Sequence, residues 1–359
     1  GLRLTYEYKE DLMIRRTMAL GLLLALAVSC VFVNPADAKL KKVAQSGFKF
    51  LSNPIGARGT GLGNAYMAIA EDASAMFWNP AGLARAEHGS AFFDATKGIA
   101  DINYFAGAVA WNFEEYGVFG VNAVMMDYGT FVGTRLDPIS GGYTYTGDFT
   151  PTAFAVGITY ARTMTDRFGF GGTLKWAQVD FGAATATQVT DTDEQGNPIA
   201  VDEREIDHKL DMPVFDVGVM YYTHIKGIRF GAAFRNFSQE KEFIADEFSL
   251  PLELKFGVAA DLIDLFSLHG LGANHAATIS SDFQHSRDFS SRLHYGAEYW
   301  YRGALALRGG YKANYDEESF TFGAGMRGTM ENYAVQFDYA FNNYGVFDPV
   351  HKFTIGLEF

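Results

Sequence analysis

Cysteine is almost missing from this chain: one residue, Cys30, among 359. A lone thiol cannot build a disulfide framework or a thiolate zinc site, since both need pairs. Positive charge is also scarce, with 29 Lys and Arg against 42 Asp and Glu and a net charge of −13. No Lys/Arg-rich run breaks that balance, so a phosphate backbone would be repelled and nucleic-acid binding is not expected. After Ala38 there is no apolar run of about 18 residues, the length a spanning helix requires. The best stretch, Phe256 to Ile279, is broken by Asp261, Asp264, His269 and His275. The eight histidines show no His-Glu-x-x-His spacing, and no Gly-x-Ser-x-Gly is present, so neither an enzyme nor a cofactor is expected. What the chain does have is 48% apolar and 15% aromatic residues, too many for a disordered or fibrous polypeptide.

The first part reads as a leader. Residues 1–12 are polar and precede Met13; Arg15 and Arg16 are followed by an apolar run from Ala19 to Val33 and by Ala36-Asp37-Ala38, a small-x-small cleavage site. The apolar run is shorter than the roughly 20 residues of an anchor. Ala27-Val28-Ser29-Cys30 is a poor lipobox, with Ala where Leu is usual. Residues 1–38 are therefore expected to be an upstream extension plus a signal peptide, and the exported chain to begin near Lys39 without cysteine.

Beyond the leader the dominant pattern has a period of two. Tyr333, Val335, Phe337, Tyr339 and Phe341 alternate with Ala334, Gln336, Asp338 and Ala340, and Leu252 to Val258 and Phe168 to Trp176 behave alike. Each is a strand with one apolar face. The same reading gives about fourteen segments, near residues 90–96, 103–112, 117–127, 152–162, 167–181, 213–223, 227–237, 252–263, 273–284, 291–301, 303–312, 319–328, 332–341 and 351–359. Most are about ten residues long, the length of a tilted strand crossing a bilayer. Tight turns (113–116, 163–166, 224–226, the Gly303 region, 329–331) alternate with longer loops at 128–151, 182–212, 238–251 and 342–350, with 264–272 the exception on the tight side. That asymmetry, an even strand count and aromatics near strand ends (Tyr160, Trp176, Tyr221, Tyr222, Tyr299 to Tyr301, Tyr339) favour a membrane barrel over a soluble sandwich. The last segment ends on Phe359, expected to be the insertion signal. The expectation is an all-β fold: an outer-membrane β-barrel of about fourteen antiparallel strands over 90–359, preceded by an N-terminal plug over 39–89.

The plug segment does not alternate. Gly59-Thr60-Gly61-Leu62-Gly63-Asn64-Ala65-Tyr66 precedes Glu71-Asp72-Ala73-Ser74-Ala75-Met76-Phe77-Trp78-Asn79-Pro80-Ala81-Gly82-Leu83-Ala84, which reads as short helices and turns: Asp72 or Ser74 can cap, and Asn79-Pro80 should stop helical turning. No strand precedes the glycines and no Lys-Ser/Thr closes them, so they are no phosphate cradle. This stretch resembles the plug of FadL-type outer-membrane proteins and, more closely, the PorV/PorQ family. A second match is Gly296-Ala297-Glu298-Tyr299-Trp300-Tyr301 through Ala304-Leu305-Ala306-Leu307-Arg308-Gly309-Gly310-Tyr311, then Phe322-Gly323-Ala324-Gly325. The resemblance implies a plugged fourteen-stranded barrel. It also implies work in type IX secretion, with exported cargo and the translocon as partners beside membrane lipid and the barrel assembly machinery; the FadL-type alternative is a channel for hydrophobic small molecules.

Inward positions of the strands place Lys175, Arg229, Arg235, Lys255, Arg308, Lys312 and Arg327 against Asp216, Glu253, Glu298, Asp338 and Glu358. Such a lumen reads as ion pairs around a plug, whereas a greasy ligand needs an apolar lining; this favours the secretion reading, with loops 128–151 and 182–212 as docking surfaces. Asp72, Ser74, Trp78, Asn79, Pro80, Ala81 and Gly82 are the expected plug residues. Asp191, Asp193 and Asp202 partly fit a calcium loop, but Pro198 is misplaced and Asp202 is short, so a hairpin turn between 183–190 and 199–206 is preferred. The 182–212 loop carries eight acidic residues and two basic ones, a solvated negative surface.

Overall fold

The structure, a computed structural model, describes residues 46–359 apart from 138, 140, 196–197, 244–245, 269, 271–273 and 332; the expected leader lies outside the described residues. In chain order the strands are β1 (Ser90–Lys97), β2 (Asn103–Asn112), β3 (Val118–Asp127), β4 (Phe131–Asp137), β5 (Gly142–Phe149), β6 (Thr152–Thr165), β7 (Phe168–Thr192), β8 (Pro198–Tyr222), β9 (Ile228–Phe237), β10 (Lys241–Phe243), β11 (Asp246–Phe248), β12 (Glu253–Asp261), β13 (His275–Ser286), β14 (Arg292–Tyr301), β15 (Leu305–Ala313), β16 (Phe320–Met330), β17 (Tyr333–Asn342) and β18 (Val350–Glu358). Fourteen of them form one closed antiparallel barrel, with β4–β5 and β10–β11 as separate hairpins. The ring closes where β1 pairs with β18, from Ser90 opposite Glu358 to Lys97 opposite His351.

The alternation has a direct physical consequence. Along β2, Phe105, Val109 and Trp111 are exposed while Tyr104, Ala106, Ala108 and Ala110 are buried. The same division runs round the ring, so Val121, Ile158, Leu174, Phe256, Leu307, Phe322, Val335 and Ile355 stand on the outside. An apolar band of this extent is not tolerated in water, whereas hydrocarbon covers it at no cost. Closure also pairs every wall strand on both edges, as a bilayer demands. Aromatic pairs mark the strand ends, as in Phe119 with Tyr160 at 4.9 Å and Tyr311 with Phe320 at 5.0 Å. Tyr222 and Trp300 depart from the expected girdle: Tyr222 donates to Glu71 at 2.5 Å and Trp300 lies beside the Arg58 and Arg308 guanidiniums, so both turn into the lumen.

Loop lengths define the two ends. One mouth, here the near mouth, carries the short turns 113–117, 166–167, 223–227 and 302–304. The exception at 264–272 begins with a short helix, α2 (Leu262–Leu265), after α1 (Ala57–Gly61) of the plug. The far mouth carries the longer connections. The 128–151 segment folds into the β4–β5 hairpin. Most of 182–212 continues β7 and β8, each 25 residues long, into a ribbon in which Ala183 to Val189 pair with Asp207 to Val201. Residues 196–197, in the turn preferred over a calcium loop, fall outside the described ones.

Candidate functional site

Residues 48–83 fill the lumen as a strap of short turns. Asp72 accepts the Ser74 backbone N–H at 2.8 Å and opens the turn Ala73–Phe77. Asn79-Pro80 does more than end that turn. Its amide oxygen accepts the Ala81 N–H at 3.1 Å and Pro80 occupies the first position of the next turn, Pro80–Arg85, where a missing N–H costs nothing. The Asn79 amide nitrogen donates to Val219 O at 3.0 Å and Met67 O at 3.3 Å, joining the strap to β8. Trp78 is buried, donating its indole N–H to Ile55 O at 2.8 Å and meeting Tyr66 edge-on at 5.6 Å.

The wall makes room for this segment by omitting side chains. A Cβ on Gly171 would come within 2.5 Å of Pro80, one on Gly231 within 2.7 Å of Met67 O, and one on Gly218 would collide with Asn79 Oδ1. Ala81 and Gly82 are fully packed in the same cradle, a Cβ on Gly82 striking Ala70 O. Across the lumen the Gly-rich run meets a second cradle: Gly63, at φ +64°, lies against Gly310, and Gly61 against Gly323. Inward glycines, which leave room for a plug, therefore sit opposite its tightest turns.

Polar side chains complete the attachment. Asp282 Oδ2 accepts the backbone N–H of Tyr66 at 2.9 Å and of Met67 at 2.8 Å. Thr354 accepts the Ala57 N–H at 2.7 Å and donates to Asp94 at 2.8 Å. Lys352 donates to Pro54 O, and Arg229 Nε to Ala68 O at 2.6 Å. Arg58 of α1 grips Glu298 through two bonds of 2.9 and 2.7 Å; Arg308 reaches the same carboxylate at 2.6 Å and Asp338 at 2.7 Å. The result is a four-member chain, Arg58–Glu298–Arg308–Asp338, whose alternating signs offset the desolvation of each member.

The expected lumen charges sort into two groups. Lys175, Asp216, Arg235, Glu253 and Lys255 form a second buried ladder across β7, β8, β9 and β12, with Lys175 2.7 Å from Asp216 and Lys255 3.3 Å from Glu253. Lys312 pairs with Glu318 at 2.5 Å. Arg229, paired with Asp261 at 2.5 Å, and Arg327, paired with Glu358, lie instead at the near mouth. There they line a polar basin of about 400 Å³ together with Arg58, Glu71, Asp72 and Arg85. The Phe359 ring packs 5.4 Å from Trp111, and its backbone exchanges two hydrogen bonds with Gly89, of 2.8 and 2.9 Å. Asp191 and Asp193 accept neighbouring backbone N–H groups while Asp202 lies in the ribbon ladder, and no group of three metal-capable side chains occurs among the described residues.

Arg58, Asp94, Asp282 and Lys352 escaped the sequence reading. Asp282 carried a usable signal, because Ser280, Asp282, Gln284 and Ser286 occupy the inward period of β13. Arg58 carried none, lying in a glycine run without periodicity.

Apolar space is found elsewhere, on the membrane face. A hollow of about 870 Å³ crosses β18, β1, β2, β3, β6 and β7, where the small Ala91, Gly107 and Ala123 leave a gap between Phe93, Val121 and Trp176.

The closed fourteen-stranded barrel is similar in fold to solved outer-membrane channels. The CymD monoaromatic hydrocarbon channel superposes with a TM-score of 0.53 at 13% identity, covering 85% of this chain and 97% of that one. A Pseudomonas aeruginosa FadL homologue gives 0.51 at 12% identity over 84% and 97%, and the Pseudomonas putida toluene transporter TodX gives 0.51 at 12% over 88% and 98%. No family profile matches the chain, and no curated protein matches it by sequence.

Proposed function

We propose that the protein is a channel for hydrophobic small molecules in the bacterial outer membrane. The observation that carries this reading is a plug seated in a closed lipid-facing barrel and held to the wall by replaceable hydrogen bonds and ion pairs, in a fold similar to that of a monoaromatic hydrocarbon channel and a toluene transporter. The charged lumen counts against a greasy ligand passing straight through the seated state, and a large apolar hollow lies on the outer wall. The plug is therefore the gate, and the ligand travels only when it shifts. Export by a signal peptide and insertion through Phe359 by the barrel assembly machinery belong to the same reading. The test is accumulation of radiolabelled toluene by Gram-negative cells with and without the protein. Faster accumulation with it is expected, and equal rates would sink the channel.

One observation favours a second reading, a PorV/PorQ-type shuttle of type IX secretion. The β4–β5 hairpin exposes Leu136, Tyr143 and Tyr145 at the far mouth near the acidic β7–β8 ribbon, a surface suited to protein partners. Affinity purification from outer membranes separates the two: co-isolated translocon and cargo support the shuttle, and bound apolar molecules alone support the channel.

A further inference from the structure

The direction in which the plug runs through the barrel has a topological consequence. Its last residues are held at the near mouth: Arg85 donates to Asp166 O at 2.5 Å, Asn112 to Ala86 O at 2.7 Å, and Gly89 pairs with Phe359. Its first described residues are held at the opposite end. Ser46 bridges Ser249 in the β9–β12 connection, with the Gly47 N–H on Ser249 O at 3.1 Å. Lys49 pairs at 2.7 Å with Asp288 of the β13–β14 loop. The Tyr104 hydroxyl, at the far end of β2, donates to Phe50 O at 2.8 Å, and Asn236, at the far end of β9, to Leu51 O at 3.4 Å. Between these ends the strap passes Thr354, Asp282 and Val219, so it crosses the lumen once, from far mouth to near mouth.

We propose that the start of the described plug, at Ser46, Gly47 and Lys49, is displayed on the outer surface of the membrane while Phe48 and Phe50 anchor it inward, making the gate reachable from outside the cell. The far mouth is the extracellular one because it bears the long connections, while the short turns and the start of β1 face the periplasm. The Lys49 side chain is half exposed there, with its ammonium tied to Asp288 and 5.5 Å from the Phe289 ring. A plug entering from the periplasm and ending inside the lumen would present none of its residues to the exterior. This one presents Ser46 and Lys49 beside the Asp288 loop.

The inference rests on the reading of the wall as an outer-membrane barrel, and the experiment separates the two. Lys49→Cys and Ser46→Cys are expressed in Gram-negative cells beside an outer control, Tyr143→Cys in the β4–β5 hairpin, and an inner control, Glu115→Cys in the 113–117 turn. Intact cells are treated with a membrane-impermeant maleimide, and the unsubstituted chain sets the background. The expected result is labelling of Lys49→Cys and Ser46→Cys to the extent of Tyr143→Cys, with Glu115→Cys labelled only after permeabilisation. Correct controls with both plug cysteines silent until permeabilisation would overturn the display of the plug while leaving the barrel reading intact. Reversed controls would overturn both.

Discussion

The two faces of the same strands obey opposite rules. Outside, residues are large, apolar and need no specific partner: Val121, Ile158 and Leu174 are exposed and are covered by whatever hydrocarbon is present. Inside, where the plug meets the wall, side chains are either omitted, as at Gly171, Gly218 and Gly310, or matched one to one, as in the Arg58–Glu298–Arg308–Asp338 chain. The outer face tolerates substitution among apolar residues because its solvent is fluid. The inner face does not, because its solvent is a fixed polypeptide with polar backbone at set places.

Removing a matched charge should break this contrast most strongly. Glu298→Ala leaves the Arg58 guanidinium without its carboxylate and Arg308 with Asp338 alone, and a loss of about 3–5 kcal/mol is expected for the orphaned partner of a buried ion pair. Urea unfolding in vesicles reads it, and a midpoint equal to that of the unsubstituted chain would mean that water already solvates the pair. The matching test on the outer face is Val121→Arg, expected to cost about 2–4 kcal/mol if β3 crosses the bilayer at that level. The same substitution should be nearly silent in a soluble sandwich edge, so a small loss would count against the membrane reading.

Next in size is the cradle. Gly218→Ala should cost about 1–3 kcal/mol through overpacking against Asn79, and Asn79→Ala a similar amount, about 1–3 kcal/mol, by orphaning the Val219 and Met67 carbonyls and the Ala81 N–H. Both act on the seated plug, so the barrel should still insert and run as a heat-modifiable band while small-solute leakage into liposomes rises. An Asn79→Ala chain that failed to form the barrel at all would show that the plug nucleates the wall.

The smallest effect concerns acid. Burial alone would raise the Glu318 carboxyl in the β15–β16 loop, but Lys312 at 2.5 Å and the Asn342 amide at 3.1 Å hold it below the usual carboxylate range. A depressed carboxyl stabilises the folded state above its unfolded value and loses that contribution as pH falls through its folded value. Unfolding midpoints should therefore decline on acidification below about pH 4.5, the ordinary Glu range, and Glu318→Gln should flatten the decline. An unchanged slope in that variant would assign the acid sensitivity to other carboxylates.

The fourteen wall strands were legible as segments in the right order, and twelve of them within a few residues of their ends, since each strand must satisfy one lipid face and one inner face over its own length; β7 and β8 run on beyond the expected 167–181 and 213–223 into the ribbon. The inward charges followed from the same parity: Lys175, Asp216, Glu298 and Arg308 are buried on the inner face, while no period pointed to Arg58. Asn79 stood out as part of a motif, but its two carbonyl partners come from Met67, twelve residues away, and Val219, 140 residues away. The functional weight of the lumen charges was read less well. As ion pairs around a plug they suggested docking over transport; in the folded chain Glu298 and Arg229 hold the plug, and Lys175, Asp216, Arg235, Glu253 and Lys255 tie wall strands to one another.

By itself, then, the sequence determined the barrel: period-two alternation, segment length and turn asymmetry are local properties, and each strand carries its own copy of the instruction. What only the tertiary structure decided is how the lumen is filled, which glycine faces which turn, which arginine shares which carboxylate, and that the plug runs from the far mouth to the near one. Those matches join residues up to 298 positions apart, as between Pro54 and Lys352, where no period connects them and only ring closure brings them within reach.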